Sequence, residues 1–277
     1  METKKISAKK SLGQHFLRSK TALAQIIAAA ELSDADTVLE VGPGEGALTD
    51  ALLKSGARVI AVETDERCIP MLHERFQTEI SAGRFILLEG DIRNTDIQEK
   101  LFDKTFLGKN PYKLVANIPY YITGMLFRLF LEHLRQPSLI IFLVQKEVAD
   151  EIVSRDGKEG ILSLAIKIYG TPRMVSKVKR EAFSPPPKVD SAIIAVEDIS
   201  RSRLGVMADD AYFTIVKAGL HARRKMLLGN LVHKLEIPKD ILTETFLKLG
   251  IPVTIRGEDL PAEKWNVLAQ TLAAKNS

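Results

Sequence analysis

Asn117-Ile118-Pro119-Tyr120 is the segment whose residue types read most directly as chemistry. The lone pair of an adenine exocyclic amine is delocalised into the ring, so the nitrogen is a poor nucleophile until acceptors hold its two N–H bonds. The Asn117 side-chain oxygen and the Ile118 carbonyl are two such acceptors. Pro119 removes a competing donor and stiffens the turn, and Tyr120 offers a flat face on which an unpaired base can stack. A methyl group on a sulfonium is already activated, so its in-line transfer needs alignment and charge stabilisation rather than a metal or a covalent nucleophile. The proton lost afterwards leaves a cationic amine, with water or Asn117 as relay. The plain alternative is a simple turn after a strand.

A cofactor site is expected upstream. Gly42, Gly44 and Gly46 in Glu40-Val41-Gly42-Pro43-Gly44-Glu45-Gly46 follow an apolar run and precede a helical pattern, where missing side chains let backbone amides approach a ligand. The spacing also satisfies the looser dinucleotide fingerprint G-x-G-x-x-[GA] through Gly42, Gly44 and Ala47, so alone it does not choose between adenosyl cofactors. Glu63, ending the next strand, suits the hydroxyls of a ribose in either class. Asp91, after the strand beyond it, supplies a second carboxylate for the amino group of a cofactor adenine, and an acid after both strands favours S-adenosylmethionine. A helix-capping role is the alternative for Asp91.

These residues need a scaffold. Ser19–Leu32 carries apolar residues at helical spacing with Ser19 as N-cap, and 47–54 repeats the helical pattern after the glycine turn. Continuous apolar runs at 37–41, 58–62, 85–88, 113–116 and 139–144 suit strands of a mostly parallel sheet buried on both faces. Leu162–Tyr169 and Ala192–Val196 read as two further strands at its far edge, joined through Ser184-Pro185-Pro186-Pro187, which makes seven. From about Asp209 the pattern is helical, at 212–220, 225–234, 240–249 and 262–274. The expected organisation is an α/β, Rossmann-like catalytic domain over 19–200, a basic and partly flexible arm over 1–18, and a small all-helical domain over 201–277.

The chain has 277 residues, enough for a substantial core, and a net charge of +4 with a pI near 9.0. Its single cysteine, Cys68, forms no internal disulfide, and no Cys/His cluster has metal-ligand spacing, which fits a reducing, cytoplasmic setting. The charged Met1–Lys10 start is neither a signal peptide nor a membrane span. Cations concentrate in two places: Lys4, Lys5, Lys9, Lys10, Arg18 and Lys20, then His221, Arg223, Arg224 and Lys225. Each reads alone as solvated surface charge, and beside a base-binding motif as contact with phosphate.

With these residues in view, the chain resembles the ribosomal RNA adenine dimethyltransferase family over almost its whole length. Lys10-Ser11-Leu12-Gly13-Gln14-His15-Phe16-Leu17 is similar to the family's N-terminal motif, whose positions at His15 and Leu17 touch the cofactor. Gly42, Glu63, Asp91 and Asn117 match its other cofactor contacts, so Asn117 is expected to face cofactor and substrate alike. Phe183-Ser184-Pro185-Pro186-Pro187-Lys188-Val189-Asp190-Ser191 resembles the loop beside the target base, with Phe183 as a second stacking contact. Gly13 before Gln14, Gln145–Ala149, and Ala222-Arg223-Arg224-Lys225 opening the helical domain resemble the small-subunit branch. Gly219-Leu220 departs from it, standing where many relatives carry an aromatic residue.

The resemblance implies S-adenosylmethionine as cofactor, S-adenosylhomocysteine as product, no metal, and dimethylation of two adjacent adenines in a hairpin loop near the 3′ end of small-subunit (16S) ribosomal RNA. Arg223, Arg224 and Lys225 are the expected docking residues. The partner is that RNA or a pre-assembled small subunit, and the protein is expected to be a monomer with no membrane association. Competing readings are a large-subunit (23S) RNA methyltransferase conferring antibiotic resistance, a non-catalytic assembly or transcription factor, and a nicotinamide-dependent oxidoreductase. The last leaves Asn117–Tyr120 and the proline loop without a role.

Overall fold

The computed structural model describes residues 6–9, 12–103, 106–107 and 111–275. Lys4, Lys5, Lys10 and Ser11 lie outside them. Two compact units emerge, one formed by 1–149 with 173–197 and the other by 150–172 with 198–277. The expected boundary near residue 200 therefore describes only one of the crossings, since 150–172 also joins the C-terminal unit.

The first unit is built on a seven-stranded sheet. Its strands are β2 (Thr37–Val41), β3 (Arg58–Glu63), β4 (Phe85–Glu89), β5 (Tyr112–Asn117), β6 (Leu139–Gln145), β7 (Thr171–Val178) and β9 (Ser191–Glu197). Their spatial order is β4-β3-β2-β5-β6-β9-β7. Pairings from β4 through β6 are parallel, and β9 runs antiparallel to β6. Val38, Leu39, Val59, Ile60, Leu114, Val115 and Ile140–Val144 are almost completely excluded from water, as expected of strands without a solvent face. The chain steps outward from β2 in one direction through β3 and β4, then returns to β5 on the other side. That reversal opens a crevice at the carboxyl ends of β2 and β5, where open α/β sheets take their ligands.

Local chemistry sets the flanking helices. The Ser19 hydroxyl accepts from Ala22 N at 3.2 Å and starts α1 (Lys20–Ala30). Gly46, at φ +78°, turns the chain into α2 (Ala47–Lys54); a Cβ there would lie 2.7 Å from the Phe76 ring, so both the conformation and the space require glycine. A two-residue strand, β1 (Phe16–Leu17), pairs antiparallel with β8 (Phe183–Ser184) and brings the N-terminal segment to the crevice.

One strand assignment is corrected. Residues 161–167 form a helix, α8, not a strand. Ile161, Leu164, Ala165 and Ile168 repeat at helical spacing, and the Ser163 hydroxyl accepts from Gly160 N at 2.8 Å at its start. The seventh strand is instead β7, whose polar composition and Pro172 hid it; as the outermost strand it has an unpaired edge where proline is tolerated. Ala192–Val196 is a strand as expected, but lies between β6 and β7 rather than at the edge.

The second unit is mainly helical: α8, α9 (Asp209–Gly219), α10 (Leu227–Leu235), α11 (Lys239–Lys248) and α12 (Ala262–Lys275). Trp265 is fully buried, and its indole Nε1 donates to Gly257 O at 3.0 Å. A Cβ at Gly219 would lie 2.3 Å from that indole, so the glycine that departs from the family pattern is the space Trp265 occupies. No helix among the described residues is long and apolar enough to cross a membrane.

Candidate active site

One cleft in the first unit collects its lining from the N-terminal segment at 12–17, the glycine turn after β2, the ends of β3 and β4, and the Asn117–Ile122 turn after β5. His15, Leu17, Gly42, Gly44, Glu63, Asp91, Asn117, Ile118, Pro119 and Tyr120 all line it. Residues from five separate stretches therefore meet where the strand order reverses.

Gly42 and Gly44 take φ values of +72° and +56°, and a Cβ on Gly42 would meet nothing within 4 Å. The turn thus leaves open backbone beside the cleft. Glu63 is buried and accepts from Gly44 N and Asp65 N, each at 2.8 Å. Burial raises its pKa above the usual value, against the lowering effect of these backbone bonds. Asp91 accepts from its neighbour Arg93, whose backbone N and guanidinium Nε each lie 2.9 Å away, and this pairing holds the carboxyl below its usual range. The helix after it, α5 (Thr95–Phe102), has Asn94 rather than Asp91 at its N-cap. The amides of Gly42, Gly44 and Gly46 are already donated to Val62 O, Glu63 and Pro43 O, so the turn offers space rather than free donors. A buried acid, a rim acid and that side-chain-free turn suit a cationic, hydroxyl-rich adenosyl ligand.

At the reaction end, Asn117 Nδ2 donates to the His15 carbonyl at 3.1 Å. No buried side-chain polar atom among the described residues lacks a partner, so Asn117 Oδ1, for which the described residues supply no donor, is not sealed in the core, and Asn117 lines the cleft. The turn's own hydrogen bonds run from Ile122 N to Pro119 O (3.1 Å) and from Thr123 Oγ1 to Tyr120 O (3.0 Å), and neither uses the Ile118 carbonyl. Tyr120 is half-buried, its hydroxyl is 2.7 Å from Ser191 Oγ, and its ring lies 6.1 Å from that of His15 at 23°. Burial raises its pKa.

Phe183 does not offer the stacking face expected of it. Its ring is buried in the core cluster with Leu17, Val178 and Ile193, because β8 pairs inward against β1. His15 is the ring beside Tyr120, held by a 2.8 Å contact between Nδ1 and Pro185 O. Two N-terminal cations, both substantially exposed, pair with buried acids of the chain: Arg18 with Glu45, and Lys9 with Asp65 at 3.8 Å.

Sequence reasoning passed over Glu40. It lies in β2, is fully buried beside the cleft, and accepts from Thr49 Oγ1 at 2.6 Å. Burial pushes its pKa up to about 8, and the Glu63 charge adds to the rise. An acid inside the apolar run Thr-Val-Leu-Glu-Val was the available signal. Among the described residues, no group of three or more His, Cys, Asp or Glu is arranged to hold a metal.

In the second unit, Arg223, Arg224 and Lys225 are exposed on the turn between α9 and α10, not within a helix. Asn230 Nδ2 fixes that turn by donating to Gly219 O (2.7 Å) and Ala222 O (3.1 Å).

The family model for ribosomal RNA adenine dimethylase matches residues 5–273. A ribosomal RNA small subunit methyltransferase A from Dehalococcoides mccartyi is 43% identical over 97% of this chain and 89% of its own length. A protein of the same description from Thermosynechococcus vestitus is 41% identical over 96% and 97% of the two chains. Among solved structures, a dimethyladenosine transferase from Plasmodium falciparum superposes with a TM-score of 0.78 at 25% identity, covering 94% of this chain and 98% of that one. The 23S rRNA methyltransferase ErmE does so with a TM-score of 0.70 at 25% identity, over 93% and 99%.

Proposed function

Because the chain belongs to the ribosomal RNA adenine dimethylase family, we propose that it transfers methyl groups from S-adenosylmethionine to the N6 amines of two adjacent adenines in a 3′-end hairpin loop of small-subunit ribosomal RNA. The observation that carries this reading is the Asn117 amide: its nitrogen is committed to the His15 carbonyl, so its oxygen is the acceptor left for the cleft. The small-subunit branch is favoured over the large-subunit one by the 43% and 41% identities to small-subunit enzymes, against 25% to ErmE.

The cofactor supplies an activated methyl on a sulfonium. Glu63 accepts from the ribose hydroxyls, Asp91 from the adenine amine, and the Gly42–Gly44 backbone with His15 and Leu17 completes the seat. Asn117 Oδ1 and the Ile118 carbonyl accept the two N–H bonds of the target amine and turn its lone pair toward the methyl. Tyr120 stacks on the base, and Pro119 keeps the turn rigid. Arg223, Arg224 and Lys225 meet RNA phosphates. The protein acts as a cytoplasmic monomer on small-subunit RNA or the assembled small subunit.

A tritiated-methyl transfer assay on under-methylated small subunits, followed by mass spectrometry of the RNA, tests this. Labelled dimethyladenosine is expected, and Asn117→Ala should abolish it with cofactor binding at most weakened. Label confined to large-subunit RNA would sink the branch assignment.

A further inference from the structure

Asp65 stands behind the cleft lining, and its carboxylate is densely bonded. Its side chain has no exposed surface. Oδ2 accepts from Gln14 Nε2 at 2.8 Å and from an Arg67 guanidinium nitrogen at 2.6 Å, and Oδ1 accepts from Arg67 Nε at 2.9 Å. Arg67 also donates to the Ser7 carbonyl at 3.0 Å, and Lys9 N donates to Gln14 Oε1 at 2.9 Å. Apart from Arg67, every partner of this cluster on the far side belongs to the N-terminal segment.

On the near side the same residue touches the cofactor wall, where Asp65 N donates to Glu63 Oε1 at 2.8 Å. One residue beyond Gln14, the His15 carbonyl takes the Asn117 amide. A short run of bonds thus links Glu63 to Asn117 through Asp65, Gln14 and the peptide that follows. Other anchors hold this segment too, with β1 paired to β8, His15 Nδ1 at 2.8 Å from Pro185 O, Arg18 paired with Glu45 and Ile6 N reaching Glu45 at 3.3 Å, but none of these runs to Glu63. Arg67 and Gln14 keep the Asp65 carboxyl far below the usual range, as a charged acceptor in permanent use.

We propose that Asp65 is a positioning residue that clasps Gln14, seats the N-terminal segment as one wall of the cofactor cleft, and thereby presents the His15 carbonyl to Asn117. The proposal rests on the reading of Glu63 as a cofactor contact and Asn117 as a substrate contact. Its effect is on cofactor affinity and on the setting of Asn117, not on the reacting atoms themselves.

The test uses full-length protein, with Asp65→Asn, Gln14→Ala and the double variant, and reads S-adenosylhomocysteine binding by calorimetry and amide exchange by mass spectrometry. Each single change should weaken binding about tenfold, the scale of one charge-assisted hydrogen bond. The double variant should be within about twofold of the weaker single, because both break one link. Amides at 12–17 should exchange faster in each variant while those of β2, β3 and β5 stay slow. Additive losses approaching a hundredfold, or binding within twofold of wild type with unchanged exchange, would overturn the clasp. Should Asp65→Asn fail to fold, Gln14→Glu takes its place: a second carboxylate against Asp65 should weaken binding more than Gln14→Ala, and an equal or smaller loss refutes the proposal. A wild-type chain that binds S-adenosylhomocysteine but methylates a different RNA would sink the proposed function and leave the clasp standing.

Discussion

Glu40→Gln isolates what an ionisable group costs this core. Burial pushes the Glu40 carboxyl up to about 8, whereas a glutamate of the unfolded chain titrates near 4.5. Below pH 4.5 both states carry the proton and the group exacts no penalty. As pH rises the unfolded chain releases its proton first, so stability falls until the pH passes about 8 and then levels off. At about 1.4 kcal/mol per pH unit the whole span is worth roughly 5 kcal/mol as a ceiling, and relaxation around the ionised group reduces this to about 2–4 kcal/mol. Glutamine keeps the shape and an oxygen for Thr49 Oγ1 but does not titrate. Urea denaturation of both proteins from pH 5 to pH 9 should therefore show the variant gaining on the wild type by about 2–4 kcal/mol across that range. A stability difference that is flat with pH would show that Glu40 is not held protonated, and the account of this buried acid would fail.

Other substitutions probe different links. Tyr120→Ala should weaken binding of the RNA substrate by about 1–3 kcal/mol, the worth of one base stack, while Tyr120→Phe keeps most of it; filter binding with the small subunit distinguishes them. Replacing Arg223 and Arg224 with alanine should weaken subunit binding and flatten its dependence on salt by about 1.4 in log–log slope, taking about 0.7 per phosphate contact on single-stranded RNA. An unchanged slope would make that turn ordinary surface. Gly219→Ala forces a methyl group against the Trp265 indole and should destabilise the protein by about 1–3 kcal/mol, seen as a lower urea midpoint.

Much of this architecture was legible in the residues. Five parallel strands and the flanking helices announced themselves because apolar runs buried on both faces leave little ambiguity, as at 58–63 and 139–145. Strand-end acids and the Asn117 turn were legible for a related reason: in a doubly wound sheet, position in the chain predicts position in the crevice. Residues 161–167 misled because a short apolar run fits either period, and only the Ser163 cap and the burial pattern decide it. Phe183 misled because an aromatic beside a proline-rich loop carries no sign of which way its backbone pairs. Gln14, Asp65 and Arg67 were invisible as a group because their meeting depends on where a non-helical segment lies after the sheet has formed.

The pairing of Phe16 and Leu17 with Ser184 and Phe183 has a consequence for synthesis. A ribosome making this protein has released the glycine turn and every acid of the cleft long before the partner strand of the N-terminal segment exists. Until residue 184 has emerged, Phe16 and Leu17 have no strand to join, and the N-terminal wall of the cleft is incomplete even with the Asp65 clasp formed. Completing it is a long-range closure in a chain whose central parallel pairings are also non-local, the slowest kind of contact for a polypeptide to make. The enzyme should therefore gain its affinity for cofactor late, after the sheet is built, and a nascent chain arrested before residue 184 should hold S-adenosylhomocysteine far more weakly than the finished protein.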